Sequence, residues 1–64
     1  MTKITNTREL PSDMLRCFAV TNEQAQEIGI QYQASWFYPL NDERGYLYVL
    51  NSEYQEKKNN GHNN

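Results

Sequence analysis

Sixty-four residues hold one domain at most, and a chain of that size buries only roughly 60 % of its unfolded surface, so its stability margin is narrow. A hydrophobic share of 38 %, a net charge of −2 and a pI of about 5.2 argue against a phosphate-binding protein, which concentrates basic residues, and are too mild for a mimic of DNA. No charged start followed by an apolar run reads as a signal peptide, no stretch is long enough to span a bilayer, and the lone Cys17 builds no disulfide framework, so the expectation is a cytoplasmic protein.

In chain order, residues 1–9 carry one large aliphatic residue, Ile4, among Thr, Asn and charges, which reads as a flexible N-terminal arm or a short edge strand. Pro11, Ser12 and Asp13 punctuate the chain. Over 15–20, Leu15, Cys17 and Ala19 alternate with Arg16, Phe18 and Val20, which suits a strand. Met14, Leu15 and Phe18 also share one helical face, so periodicity leaves a helix open there. Thr21 followed three residues later by Gln24 is a capping box, and Glu23 suits the positive end of a helix. A helix is expected over 22–29 with Gly29 as its C-terminal cap, a continuation to residue 34 staying open.

The stretch 34–50 organises the rest. Two runs rich in Trp, Phe, Tyr, Leu and Val flank the turn formers of 41–45, and Gly45 is expected to supply a positive φ. The reading is an antiparallel hairpin of strands 34–40 and 46–50, with Leu40 opposite Tyr46, Tyr38 opposite Tyr48, Trp36 opposite Leu50, Phe37 opposite Val49 and Pro39 opposite Leu47. One face holds Phe37, Leu47 and Val49. The other holds Trp36, Tyr38, Tyr46 and Tyr48. Pro39, lacking an N–H, is expected to make 34–40 the rim of the sheet. The predicted core is Leu15, Cys17, Ala25, Ile28, Ile30, Phe37, Leu47 and Val49. Residues 51–58 can form a helical turn capped by Ser52, and 55–64 read as a disordered polar tail beyond a single domain over 10–54.

These elements make a small α+β domain, strand, helix, then antiparallel β-hairpin. Nothing in it reads as catalytic machinery. His62 and Cys17 are too few and too far apart to hold a metal, so no metal and no cofactor is expected. Cys17 has no fixed base beside it and reads as a small buried thiol. Asp42 and Glu43 read as turn chemistry, and Lys57 with Lys58 as solvation. The chain is expected not to be an enzyme.

Two signals point to binding. Trp and Tyr concentrate at interface hot spots because they bury much area with few rotamers and keep a polar handle. Trp36, Tyr38, Tyr46 and Tyr48, with Arg44 beside them, therefore read as a docking surface for a larger protein partner, with Asp42, Glu43 and Glu53 as an acidic rim that steers towards a basic partner. The other reading is that both hairpin faces are buried, one by the helix and one by the N-terminal arm, the tail or, in a homodimer, a second copy of the chain. Small chains of this kind are often accessory factors or inhibitors encoded by phages or mobile elements. The second signal lies in 21–30, where Ala25 and Gly29 have the spacing of a helix-turn-helix with Ile28 and Ile30 around the turn. With 44–48 as a wing, about half the chain resembles small winged helix-turn-helix regulators of the excisionase and MerR type. That resemblance implies DNA binding through a recognition helix over 30–38, with Gln31, Gln33 and Arg44 as contacts. No Lys or Arg lies within 30–38 to meet phosphates or guanine edges, which ranks protein docking first.

Overall fold

Both helices lie against one face of a four-stranded mixed sheet. The computed structural model describes residues 1–61. In chain order it contains β1 (Thr2–Lys3), a 3-10 turn (Thr7–Glu9), β2 (Leu15–Thr21), α1 (Asn22–Gln31), β3 (Ser35–Pro39), β4 (Arg44–Leu50) and α2 (Asn51–Gly61). The sheet order is β1-β3-β4-β2; β1 runs parallel to β3, and β4 is antiparallel to both its neighbours. The α+β architecture expected from the sequence is the one observed, with β1 added at an edge. The second helix of a helix-turn-helix does not form: α1 ends at Gln31, and the would-be recognition segment contains β3, paired on both sides.

Thr21 closes β2 and opens α1. Its hydroxyl accepts the Gln24 N–H at 3.2 Å, and its own N–H donates to Gln24 Oε1 at 3.0 Å, so two otherwise orphaned donors are satisfied at once. Ala25, Ile28 and Gly29 recur at helical spacing on the inner side, Ala25 and Ile28 packing on the sheet core and Gly29 beside Met1. Gly29 is not the cap. It lies inside the helix, where an added Cβ would come within 3.2 Å of Met1 Cβ, and the helix stops two residues later as Tyr32 turns extended. Ile30, predicted to be core, falls off this stripe and is 86 % exposed.

The core on the helix side joins Ala25, Phe37, Leu47 and Val49, all buried, with Phe18, Val20, Ile28, Tyr32 and Tyr54 packed around them. In β2 the inward residues are Arg16, Phe18 and Val20, because Phe18 stands opposite Leu47 and Val20 opposite Gly45. The sequence pattern had two phases to choose from, and the predicted one, with Leu15 and Cys17 inside, is the outward phase; Cys17 is exposed. Arg16 is accommodated on the inner face at its margin, with its guanidinium 4.6 Å from the centroid of the Tyr54 ring. Tyr54 also tilts against Phe18 at 5.7 Å and stacks on Tyr32 at 6.3 Å. Glu53 fixes the start of α2 by accepting the backbone N–H of Gln33 at 2.7 Å and of Ala34 at 3.4 Å.

The hairpin has the expected strands in a register displaced by two residues: Tyr38 faces Tyr46, Trp36 faces Tyr48, Phe37 faces Leu47 and Pro39 faces Gly45. The loop is 40–43, shorter than expected, because Asn41 Oδ1 accepts the N–H groups of both Glu43 and Arg44 at 2.8 Å and turns the chain early. A displacement by an even number preserves the sorting of faces. Gly45 therefore sits within β4 rather than in the turn, and among the described residues no glycine has a positive φ. Its role is close approach: a Cβ there would meet Tyr38 O at 2.5 Å and Phe37 Cζ at 2.7 Å.

Residues 1–9, read from sequence as a flexible arm or an edge strand, supply β1, which takes the rim position expected for β3. Pro39 remains compatible because β1 pairs only with Trp36 and Phe37, so the side of Pro39 that lacks an N–H faces no paired strand. Beyond β1, Asn6 Oδ1 caps the 3-10 turn through Arg8 N–H at 2.8 Å, and Glu9 Oε2 accepts the N–H groups of Thr5 and Asn6 at 2.9 and 3.0 Å. Within 55–64, read as a disordered tail, α2 continues to Gly61, while 62–64, including His62, lie outside the described residues.

Candidate functional site

Alternation along the strands settles which side chains share the face away from the helices. From β4 come Arg44, Tyr46, Tyr48 and Leu50; from β3 Trp36 and Tyr38; from β2 Leu15, Cys17, Ala19 and Thr21. The four aromatic residues singled out in the sequence thus stand together as two directly opposed cross-strand pairs, Trp36 with Tyr48 and Tyr38 with Tyr46. Such pairs hold their side chains about 5 Å apart at Cβ, close enough to fix one another's rotamers. All four are half-buried. Arg44 is exposed at the hairpin end of the same face, opposite Thr21.

Part of that half-burial comes from the N-terminal segment. Ile4 is 1 % exposed yet stands outside the helix-side core. The β1 register, continued by one residue, sets it beside Tyr38, and its N–H donates to Phe37 O at 2.9 Å. Residues 5–14 then carry the chain from one edge of the sheet to the other, with Leu10 and Pro11 half-buried on the way. Covering of this face by the N-terminal arm is one of the readings the sequence offers. Its one signal was a large aliphatic residue alone among polar neighbours.

The electrostatics are mild. Burial, and next the Cys17 thiol beside it, push the Tyr48 phenol above its usual 10.0, with Tyr46 and Tyr38 adding to the effect. Cys17 is the cross-strand partner of Tyr48, which places a small exposed residue next to a wide aromatic one. Asp42 and Glu43 are exposed in the hairpin loop, as an acidic rim requires. Glu53 is not part of such a rim, since its carboxylate is engaged by the Gln33 and Ala34 backbone on the helix side. Gln31 and Gln33, the candidate DNA contacts, are exposed at and after the end of α1, remote in the topology from Arg44, so no single element presents the three together. Among the described residues no group of three His, Cys, Asp or Glu side chains is placed to hold a metal ion, and no helix is long and apolar enough to cross a membrane. No protein-family model matches the chain, and neither a curated protein nor a solved structure matches it.

Proposed function

We propose that this chain is a non-enzymatic binding protein that docks the aromatic face of its sheet on a larger protein and modulates it, as an accessory factor or inhibitor does. The observation that carries the reading is the pair of opposed aromatic couples, Trp36 with Tyr48 and Tyr38 with Tyr46, on the sheet face that neither helix covers. A rigid sheet holds these rings with little rotamer freedom left to lose, which is the property that makes Trp and Tyr productive at interfaces. Exposed Cys17 and Ala19 beside them leave the face accessible from the β2 side. Arg44 and the loop carboxylates Asp42 and Glu43 form a polar border at one end.

The test uses Trp36, the single tryptophan, as reporter. Its emission is recorded in the free protein, then with duplex and single-stranded DNA at low salt, and immobilised protein is used to capture partners from lysate. The reading expects no response to DNA and a captured protein that is lost on Trp36→Ala and on Tyr46→Ala while both variants keep the wild-type circular dichroism. A hot-spot aromatic cut to Ala costs about 2 kcal/mol or more, roughly thirty-fold in affinity. Saturable quenching by DNA that reverses with salt, abolished by Arg44→Ala, would replace protein docking by nucleic-acid binding.

A further inference from the structure

The outer edge of β2 carries the next inference. In an antiparallel ladder the bonding residues alternate, and two bonds at the ends of this one fix the phase: Asn51 N–H donates to Met14 O at 3.1 Å, and Asn22 N–H donates to Glu43 O at 2.9 Å. Even-numbered residues of β2 therefore bond to β4. The N–H and C=O groups of Leu15, Cys17 and Ala19 point the other way, out from the sheet. Thr21 is excluded, because its N–H is already taken by Gln24. Among the described residues no strand pairs with this edge, since β2 is terminal in the sheet.

Natural edges of this length are normally blunted by proline, by a bulge, by a lysine or by a covering element. Here the register with β4 runs unbroken over all seven residues, and β2 contains no proline and no lysine. Its one charge, Arg16, points inward, a placement that can guard an edge, but here the guanidinium is held 4.6 Å over the Tyr54 ring. The free set is also symmetric: Leu15 and Ala19 lie equally far on either side of Cys17.

We propose that two copies of this chain pair antiparallel through their β2 edges, about a two-fold axis at Cys17, to give one continuous eight-stranded sheet. In that register Leu15 of each copy stands opposite Ala19 of the other and Cys17 opposite Cys17, so all three outward N–H and C=O pairs of each copy are used. Arg16 falls opposite Phe18 of the other copy, so no like charges stand directly opposite, the arrangement that destabilises a cross-strand pair. A second copy satisfies all of these donors and acceptors in this one register. The two Cys17 Cα atoms come about 5.5 Å apart, the spacing of a directly bonded pair and within the reach of a disulfide. This pairing uses the edge and leaves the aromatic couples free, so it stands or falls separately from the docking reading.

The experiment is amide hydrogen exchange on the full chain, under reducing conditions, at low and high protein concentration, with sedimentation velocity on the same samples. The expected result is a concentration-dependent dimer in which the Leu15, Cys17 and Ala19 amides slow at least ten-fold, while those of Arg16, Phe18 and Val20 are already slow and stay so. Ala19→Lys, at an exposed position, weakens the dimer at least ten-fold with unchanged circular dichroism. Ala19→Pro removes only an outward N–H and does the same. With oxidised glutathione, two Cys17 thiols give one interchain disulfide and reduced glutathione. A chain that stays monomeric overturns the proposal. So does a dimer whose odd-numbered β2 amides remain fast, or one insensitive to Ala19→Lys but broken by Tyr46→Ala, which would place the contact on the aromatic face.

Discussion

Replacing Gly45 by alanine tests the packing of the hairpin with a single methyl group. That carbon would lie 2.5 Å from Tyr38 O, 2.7 Å from Phe37 Cζ and 2.8 Å from Pro39 Cα. Two of the three are backbone atoms of the paired strand, and the third is the end of a buried ring, so none can swing aside. Overpacking of this kind costs roughly 1–3 kcal/mol, and backbone obstruction sets it at the upper end. The gain from a less flexible unfolded chain returns about 0.4–1 kcal/mol. The net loss is about 2 kcal/mol, a large share of the roughly 3–10 kcal/mol available to a domain this small. With about 4–8 °C of melting temperature per kcal/mol in this size range, the midpoint should fall by about 10 °C or more. Gly29→Ala is the matched control. Its Cβ meets only Met1 side-chain atoms, at 3.2 and 3.3 Å, on a terminal residue that is 46 % exposed and able to shift. Removing a glycine from a helix interior gains about 1 kcal/mol, so this midpoint should rise by several degrees. Both are read by thermal melts followed through Trp36 emission and far-UV circular dichroism. A Gly45→Ala midpoint within about 2 °C of wild type, or equal losses at both sites, would refute the reasoning from contact geometry.

Thr21→Ala removes the acceptor for Gln24 N–H and should cost about 1 kcal/mol in urea denaturation, with an unchanged m-value; no loss would mean that water replaces the cap. The Thr5 backbone N–H in the first place, together with the Thr5 hydroxyl and the Asn6 N–H, holds Glu9 below the usual 4.5 of its carboxyl. What that carboxylate contributes is present above 4.5 and is lost as pH falls through the lower folded value. The Thr5 and Asn6 amide resonances should therefore titrate with a midpoint under 4.5, and Glu9→Gln should abolish the transition; a midpoint above 4.5 would contradict the assigned bonds. Tyr48 has the opposite sign: its raised phenol favours the neutral form in the fold, so stability is full below pH 10.0 and declines as pH rises above it. Tyr48→Phe should flatten the fall of the melting midpoint above pH 10, leaving a remainder from Tyr32, which burial raises likewise; identical slopes would show that Tyr48 is not desolvated.

How much of this was legible in the sequence depended on whether a local rule had one solution or two. The capping box of Thr21 and Gln24 has one, and the helix begins where it says. Sorting Trp36, Tyr38, Tyr46 and Tyr48 onto one face needed only alternation, and it survived a wrong register because the displacement was even. The register itself was set by a side chain, Asn41, whose two hydrogen bonds close the turn before Gly45 is reached. In β2 alternation offered two phases, Leu15, Cys17 and Ala19 against Arg16, Phe18 and Val20, and the one that carries Arg16 is the inward one. Tyr54, thirty-eight positions later in the sequence, makes that placement possible by lying under the guanidinium. The resemblance to a helix-turn-helix shared this weakness. Ala25 and Gly29 do lie inward with helical spacing, but Ala25 packs on a sheet and Gly29 accommodates Met1 rather than a turn. Strand β1, two residues long, carries no periodic signal at all.

The strand order has a consequence for synthesis. Strand β4 lies between β2 and β3 and is translated after both, so these two lack their common partner until it arrives. While the ribosome is still short of residue 44, the emerging chain holds a capped helix and strands with a gap where their common partner belongs. Closure of the sheet should therefore wait until β4 has emerged. Translation arrested before β4 would leave β2 unpaired on both edges and Phe18, Val20 and Phe37 without Leu47 and Val49 to cover them, a state open to aggregation or proteolysis.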